Sequence, residues 1–268
     1  MESTLPESVS KIIVEEKDIY LVGTAHVSKE SVDDVGRAVA AVQPDAVCVE
    51  LCEARYKSMV QREAWQQMNI FKVIREKKAL LLLAQLIMNS FYRRIGEHLG
   101  VQPGAEMMEG IRLAQKTGAE LVLADREVEI TLKRVWGYLN LWNKLKMMVQ
   151  LLAGLLVSEK IDEDLVENMK KQDQLETIME TFAKAFPEVK KRLIDERDVI
   201  LARKIRQAPG KTVVAIVGAG HVPGIIKNID IDTSLEPLMQ VPPKSLVPHV
   251  LKWGIPAVIA FLMVLGFF

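Results

Sequence analysis

The fold is decided by two stretches with the same design: Ile19-Tyr20-Leu21-Val22-Gly23-Thr24-Ala25-His26-Val27 and Val214-Ala215-Ile216-Val217-Gly218-Ala219-Gly220-His221-Val222. Each begins as a short apolar run rich in β-branched residues, which is typical of a buried strand. A glycine ends each run, and we expect the chain to turn sharply there because glycine has access to positive φ. His26 and His221 are then expected just beyond the carboxyl ends of two strands, where open α/β sheets bind ligands.

Length and charge restrict the class of protein. A chain of 268 residues can form one large domain, or a domain with an appendage, and can bury a substantial core. Its 35 basic and 35 acidic residues balance, so the composition predicts no nucleic-acid partner.

The cysteines, Cys48 and Cys52, fit neither a zinc knuckle nor a CxxC motif. Because residues 1–6 do not resemble a signal peptide, we expect free thiols rather than a disulfide.

The remaining apolar runs extend this pattern into an α/β fold. The predicted elements are a hairpin of Lys11–Val14 with Ile19–Val22, a helix over Ser28–Val42 with Val32, Val35, Val39 and Val42 on one face, and strands at Ala46–Val49, Leu121–Ala124 and Val213–Val217. Strand, helix and strand within about 30 residues predict a βαβ unit with parallel pairing. We therefore expect a central, mostly parallel sheet made of two related βαβ-type halves, with a large helical insertion.

Parallel strands bring four polar residues to one edge of this sheet. His26, Glu50, Asp125 and His221 each follow a predicted strand. Histidines and carboxylates that converge in this way can bind zinc or another divalent transition metal. Each also has a plainer interpretation: a loop histidine satisfied by local hydrogen bonds, or Glu50 in a salt bridge to Arg55 or another nearby arginine. The repeated Gly-x-x-His pattern favours the metal site.

Helices are predicted to fill much of the remaining chain. Glu106 lies in the first turn of a helix that ends near Thr117, where it can complement the helix dipole or point into a site. The apolar residues between Leu132 and Leu152 recur at helical spacing and predict a core or helix-pair face, with a lid, a dimer contact or a membrane-surface helix as alternatives. The usual explanation for a charged trio such as Glu196-Arg197-Asp198 is a solvated helix face.

The C-terminal residues, 253–268, carry no charge. They fall short of the roughly 20 residues that cross a bilayer, so they form either a buried helix or the start of a membrane span. Their apolar character on every face favours the span. Lys244 and Lys252 upstream would keep the preceding domain cytoplasmic by the positive-inside tendency. The predicted organisation is a domain at 1–240 with helical insertions at about 55–100 and 131–206, a linker at 241–252 and a hydrophobic segment at 253–268.

A set of motifs resembles the TraB/PrgY family, which is grouped with the Tiki, GumN, erythromycin-esterase-like and ChaN-like proteins. The motifs are Gly23-Thr24-Ala25-His26-Val27-Ser28, Val49-Glu50-Leu51-Cys52 with Arg55-Tyr56, Gly104-Ala105-Glu106-Met107, Asp125-Arg126, Asp195-Glu196-Arg197-Asp198 and Gly218-Ala219-Gly220-His221-Val222-Pro223-Gly224. The resemblance implies a metal-dependent hydrolase, since Tiki-type members are proteases that use manganese or cobalt. It also implies a multi-pass membrane protein named for pheromone shutdown, of which this chain would be a truncated version that ends in the first hydrophobic segment.

The resemblance suggests a role for each candidate residue. His26, His221 and Glu106 would hold a divalent manganese, cobalt or zinc ion, and Glu50 would be either a further ligand or the general base. Arg126 and Arg197 would stabilise an oxyanion or orient the carboxylates. Arg55, Tyr56, Asp125 and Glu196 would support the ligands. The alternative is a module that captures a peptide, or haem, without turnover. Expected partners are a peptide, the membrane and, through the apolar helices, a second copy of the chain.

Overall fold

The computed structural model describes residues 5–24, 29–60, 104–146, 184 and 186–242. The chain divides into two compact units, Met1–Val128 with Lys191–Met239 and Glu129–Lys190 with Gln240–Phe268. The strands are β1 (Val9–Val14), β2 (Lys17–Thr24), β3 (Ala46–Val49), β4 (Glu120–Leu123) and β5 (Thr212–Gly218). The helices are α1 (Lys29–Val42), α2 (Glu53–Val60), α3 (Ala105–Thr117), α4 (Val128–Tyr138), α5 (Pro187–Lys190) followed by a π-helical turn at Lys191–Asp195, α6 (Glu196–Gln207), α7 (Val222–Asn228) after a 3₁₀ turn at Ala219–His221, and α8 (Glu236–Met239).

The first unit contains a five-stranded sheet in the order β1-β2-β5-β3-β4. Only the β1–β2 hairpin is antiparallel, and the other three pairings are parallel. The predicted mixed α/β fold is therefore confirmed, but the predicted direct pairing of β2 with β3 is wrong because β5 lies between them. The sequence of β5 explains this position. It is apolar on both faces and almost wholly buried, as a central parallel strand requires.

The side chains of β5 point alternately into two apolar layers. Val214 and Ile216 contact the layer formed with α1 and α3, and Val213, Ala215 and Val217 contact the layer formed with α6 and α7. The sheet is therefore covered on both faces. The buried side of α1 is rotated from the predicted valine face, because Val32 and Val42 are only half-buried while Ser31, Asp34, Val35, Ala38 and Val39 are buried.

The second unit corresponds to part of the predicted helical insertion. The insertion was expected to continue to residue 206, but Lys191–Gln207 belongs to the sheet-containing unit. Within the second unit, Arg134 Nη1 donates a hydrogen bond of 2.6 Å to the carbonyl of Gln240. The expected core face of its helices is only partly buried where the structure describes it. Leu139 is buried, with 3% exposure, whereas Leu132, Trp136 and Trp142 retain 45%, 47% and 73% of their surface, respectively.

Several predicted segments fall outside the described residues: the insertion over 61–100, the apolar stretch after residue 146, and the linker and hydrophobic segment beyond residue 242. None of the helices in the described ranges combines the length and apolarity needed to cross a bilayer. Cys48 and Cys52 are free and buried, as expected. Burial raises the pKa of the Cys48 thiol to about 12, so it is unreactive at neutral pH.

Gly210 lies two residues before β5, at the amino-terminal edge of the sheet, where the backbone packs against Asp45. It has φ +82°, and a Cβ built on it would lie 2.1 Å from Asp45 Cβ. Asp45 Oδ2 in turn accepts hydrogen bonds from the amides of Lys211 at 2.8 Å and Thr212 at 2.9 Å. We expect Gly210→Ala to lower the free energy of unfolding by at least about 2 kcal/mol, because it adds a clash to left-handed strain.

Gly118→Ala is the matched control, since Gly118 has φ +76° but nothing in the described chain lies within 4 Å of an added Cβ. It should cost only the strain, about 1 kcal/mol. Urea unfolding of the two variants compares the losses directly. Equal losses of unfolding free energy in the two variants would show that the close contact of Gly210 with Asp45 does not contribute to stability.

Candidate functional site

The parallel strands β2, β3, β4 and β5 end at a common edge of the sheet. β2 and β5 are direct neighbours, with Thr24 opposite Gly218 at their carboxyl ends. Glu50 follows β3, Asp125 follows β4, and His221 follows β5 by three residues. All three side chains are buried, with at most 9% of the residue surface exposed. The sheet thus gathers two carboxylates and an imidazole where ligands bind in open α/β folds.

Glu50 is fixed by donors from β5 and from α6. The amide of Gly218 donates a hydrogen bond of 2.7 Å to Oε2, and Arg197 Nη2 donates to Oε1. The backbone amide of Glu50 also donates to the carbonyl of Ile216 at 3.1 Å, which continues the strand pairing past the end of β3. Of the interpretations offered by the sequence, the ion pair with an arginine is therefore real, but the partner is distant in sequence.

Arg197 joins this glutamate to Asp125. Its Nε donates to Asp125 Oδ1 at 3.0 Å and its Nη2 to Oδ2 at 2.8 Å, the bidentate arrangement that makes arginine–carboxylate pairs strong. Burial alone would lower the pKa of the guanidinium, but the hydrogen bonds and charges of Asp125 and Glu50 raise it above its ordinary value. Arg197 is in the first turn of α6, directly after the π-helical turn, a feature often found at functional sites.

His221 lies between two carboxylates. Its Nδ1 is 2.5 Å from Asp198 Oδ1, and its Nε2 is 3.5 Å from Glu50 Oε1. The contact with Asp198 orients the imidazole ring so that Nε2 points towards Glu50. Burial raises the pKa of Asp198, and the hydrogen bond to His221 lowers it in part. Gly224 on α7 permits this arrangement, because a Cβ there would lie 1.9 Å from Asp198 Oδ2.

Arg126 has no exposed side-chain surface. Its Nη1 bonds Glu196 Oε2 at 2.9 Å and the carbonyl of Leu238 at 2.7 Å, and its Nη2 bonds the carbonyl of Arg192 at 3.0 Å. The Arg126 amide also donates to Asp125 Oδ1 at 2.7 Å. The Arg126–Glu196 pair therefore ties the end of β4 to the start of α6 and holds Asp125 in place.

The matched range of a known family contains all of these residues. The sequence profile of the TraB/PrgY/gumN family matches residues 9–233, which include every strand of the sheet. The chain belongs to this family. It is 35% identical to a human TraB domain-containing protein over 98% of this chain and 76% of that protein, and 34% identical to the mouse TraB domain-containing protein over the same shares. An uncharacterised protein of Methanocaldococcus jannaschii is 34% identical over 81% of this chain and 54% of its own length.

Asp198 and Lys204 also lie at this edge of the sheet, although the sequence analysis gave neither of them a role. The usual explanation of the trio Glu196-Arg197-Asp198 does not apply, because Glu196 and Asp198 are buried and Arg197 retains only 15% of its side-chain surface. The first turn of α6 lies against the edge of the sheet. Lys204, two turns later, donates to the carbonyls of Leu123 at 3.1 Å and Asp125 at 2.8 Å. Burial lowers the pKa of its ammonium group. The apolar run Val199-Ile200-Leu201 that follows the trio was the available signal for a buried helix end.

The remaining predicted residues of the TraB-family site occupy different environments. Glu106 is buried, with 1% exposure, in the first turn of α3. Tyr56 is half-buried beside the apolar layer of α1 and α3, whereas Arg55 is exposed. His26 lies outside the described residues. Within 5–24, 29–60, 104–146, 184 and 186–242, no three or more His, Cys, Asp or Glu side chains form a group suited to a metal ion.

The glycines of the Gly-x-x-His motifs do not use positive φ where the structure describes them. Gly218 has φ −59°, and the chain turns there from β5 into the 3₁₀ turn. Gly23 lies in a closely packed position, because a Cβ there would lie 3.2 Å from Val222 Cγ2 and 3.4 Å from Ala219 Cα. The strand of the first motif therefore contacts the loop of the second motif directly.

The buried ion pair predicts strong coupling between Arg197 and Asp125. We expect Arg197→Gln to lower the free energy of unfolding by about 3–5 kcal/mol, because it leaves buried carboxylates without their partner. Adding Asp125→Asn should cost much less than it does alone, giving a coupling energy above about 1 kcal/mol in a double-mutant cycle.

Arg112 and Glu109 provide the control, since Arg112 Nε and Nη2 bond Glu109 at 2.8 and 2.5 Å with the same fork geometry on an exposed helix surface. Their cycle should give less than about 1 kcal/mol. Coupling energies of the same size in both pairs would show that burial does not strengthen the Arg197–Asp125 pair.

Proposed function

We propose that the chain is a metal-dependent hydrolase that cleaves peptides by means of a metal-activated water. The observation that carries this proposal is the placement of His221, with Nδ1 on Asp198 and Nε2 3.5 Å from Glu50 Oε1. Histidine ligands of metals characteristically donate their other ring N–H to a carboxylate, which fixes the tautomer and the ring orientation. Two donors bound tetrahedrally to one ion at about 2.1 Å lie about 3.4 Å apart, so the observed separation fits a shared ion.

The proposed ligands are His221, Glu50, His26 and Glu106. The described residues support the first two through their mutual position. The pairing of Thr24 with Gly218 supports the third, because the chain that leads to His26 departs beside the His221 loop. Glu106 is included because it is a buried carboxylate in a first helical turn. Nitrogen and oxygen donors of this kind suit manganese, cobalt or zinc.

The protein's own groups have distinct proposed tasks. When bound, the ion would lower the pKa of a water molecule and polarise the scissile carbonyl. Asp198 holds His221 in the tautomer that presents Nε2. Glu50, which accepts hydrogen bonds from the Gly218 amide and from Arg197, is a candidate ligand or proton acceptor beside His221 Nε2. Arg197 orients Glu50 and supplies positive charge beside it. Arg126 is enclosed by Glu196 and backbone carbonyls, so we assign it a positioning role in place of oxyanion stabilisation.

The choice of a peptide substrate comes from the resemblance to Tiki-type proteases. We also propose that the domain is held at a membrane by the uncharged segment at 253–268. The preceding Lys244 and Lys252 favour a cytoplasmic location for the domain. Capture of an intact peptide without cleavage, the alternative raised by the sequence, is separated from hydrolysis by mass spectrometry after incubation with a peptide library and Mn²⁺, Co²⁺ or Zn²⁺. New termini indicate turnover, whereas retention of intact peptide indicates sequestration.

Histidine substitutions test the metal site. His221→Ala and His26→Ala should each abolish metal binding, measured as metal-to-protein stoichiometry by elemental analysis, while circular dichroism stays unchanged. His98→Ala and His249→Ala are the controls, since neither follows a Gly-x-x pattern. Their stoichiometry should equal that of the unsubstituted protein. Unchanged stoichiometry in both His221→Ala and His26→Ala would refute the mechanism.

Glu50→Gln separates the two tasks given to Glu50. Glutamine keeps an oxygen donor but cannot accept a proton at neutral pH. If Glu50 is the proton acceptor, the variant should retain metal and lose at least about 100-fold in the rate of peptide cleavage. If Glu50 is mainly a ligand, metal stoichiometry should fall with activity. A variant that keeps both its metal and its activity would remove Glu50 from the mechanism.

A further inference from the structure

The second unit carries an exposed apolar surface that the hydrolase site does not use. We call it the tryptophan face and define it by Leu132, Trp136, Leu141, Trp142 and Leu145. Their exposed fractions are 45%, 47%, 59%, 73% and 54%, respectively. Exposure of single apolar residues is ordinary, but a contiguous group of large ones marks a surface that binds something.

The tryptophan face is carried by two neighbouring helical segments, α4 and residues 141–146. Lys144 Nζ lies 5.4 Å from the centre of the Trp136 ring, so the segment that contains Trp142 lies beside α4. Trp136 follows Leu132 by one helical turn, as Leu145 follows Leu141. Each segment therefore exposes large apolar side chains one turn apart, beside those of its neighbour.

Basic residues accompany this apolar surface. Residues 130–146 contain Lys133, Arg134, Lys144 and Lys146 and no aspartate or glutamate. Arg134 is buried, with its guanidinium 5.4 Å from the Tyr138 ring centre, whereas Lys133 is exposed and bonds Glu129 at 2.6 Å. Lys146 lies 5.1 Å from the Phe186 ring centre. Lysine stems can cover apolar surface while their ammonium groups reach outward.

We propose that the tryptophan face binds the surface of an anionic lipid bilayer. Tryptophan and leucine beside lysine are the composition of helices that lie in the interface between headgroups and acyl chains. The ammonium groups of Lys144 and Lys146, which lie beside aromatic rings of this unit, supply positive charge that complements anionic headgroups. The same charge disfavours a second copy of the chain on this face, because a symmetric contact would bring its lysines together. The proposal does not depend on the hydrolase mechanism.

Trp142 is the natural reporter of this contact. The chain has four tryptophans, at positions 65, 136, 142 and 253. Full-length protein with Trp65→Phe, Trp136→Phe and Trp253→Phe isolates the fluorescence of Trp142. With vesicles of phosphatidylcholine containing about 30 mol% phosphatidylserine, we expect the emission to shift to shorter wavelength and iodide quenching to fall. Phosphatidylcholine vesicles alone should have little effect.

Two variants complete the test. In the Trp142-only background, Lys133→Gln, Lys144→Gln and Lys146→Gln together should raise the lipid concentration at half-maximal shift by at least about 10-fold. A Trp253-only variant reports separately on the terminal apolar segment, so attachment through that segment is not mistaken for contact by the tryptophan face. Circular dichroism checks that each variant is folded.

Two results would overturn the proposal. One is Trp142 emission and iodide access that do not change with anionic vesicles, whether or not the protein sediments with them. The other is the same blue shift on raising protein concentration without lipid, accompanied by dimer formation in light scattering, which would mean that a second copy covers the face.

Discussion

The site depends on a buried guanidinium held between two carboxylates. Arg197 reaches Asp125 after β4 and Glu50 after β3, and it does so from α6, on the face of the sheet opposite α1 and α3. Removing charges from water is costly unless each finds a partner with good geometry, so these three residues are mutually required. Their pairing fixes the edge of the sheet on which Glu50 faces His221.

Central placement of β5 is the second condition for this geometry. Because β5 lies between β2 and β3, the His221 loop contacts Gly23 on one side, and the Gly218 amide reaches Glu50 on the other. A sheet in which β2 paired directly with β3 would separate Glu50 from Gly218. The two Gly-x-x-His motifs are therefore brought together because the strands that precede them, β2 and β5, are direct neighbours.

The sequence predicted the strands and the common edge well, because β-branched runs and the polar residues after them are local signals. It placed β5 incorrectly relative to β2 and β3, since strand order depends on long-range burial that no local pattern encodes. For a related reason, the local pattern of the trio Glu196-Arg197-Asp198 did not show that it is buried. Three consecutive charges are usually solvated. Their partners, Arg126, Asp125 and His221, become visible only when the start of α6 is seen against the edge of the sheet.

The sheet gathers Glu50, Asp125 and His221 at its carboxyl edge, and the account's central claim is that Glu50 and His221 share a divalent ion there. The most direct measurement is anomalous diffraction from crystals grown with Mn²⁺ or Co²⁺. The account predicts an anomalous peak at about 2.0–2.3 Å from both His221 Nε2 and Glu50 Oε1. A peak elsewhere, or a direct hydrogen bond between these two atoms with no peak between them, would contradict it.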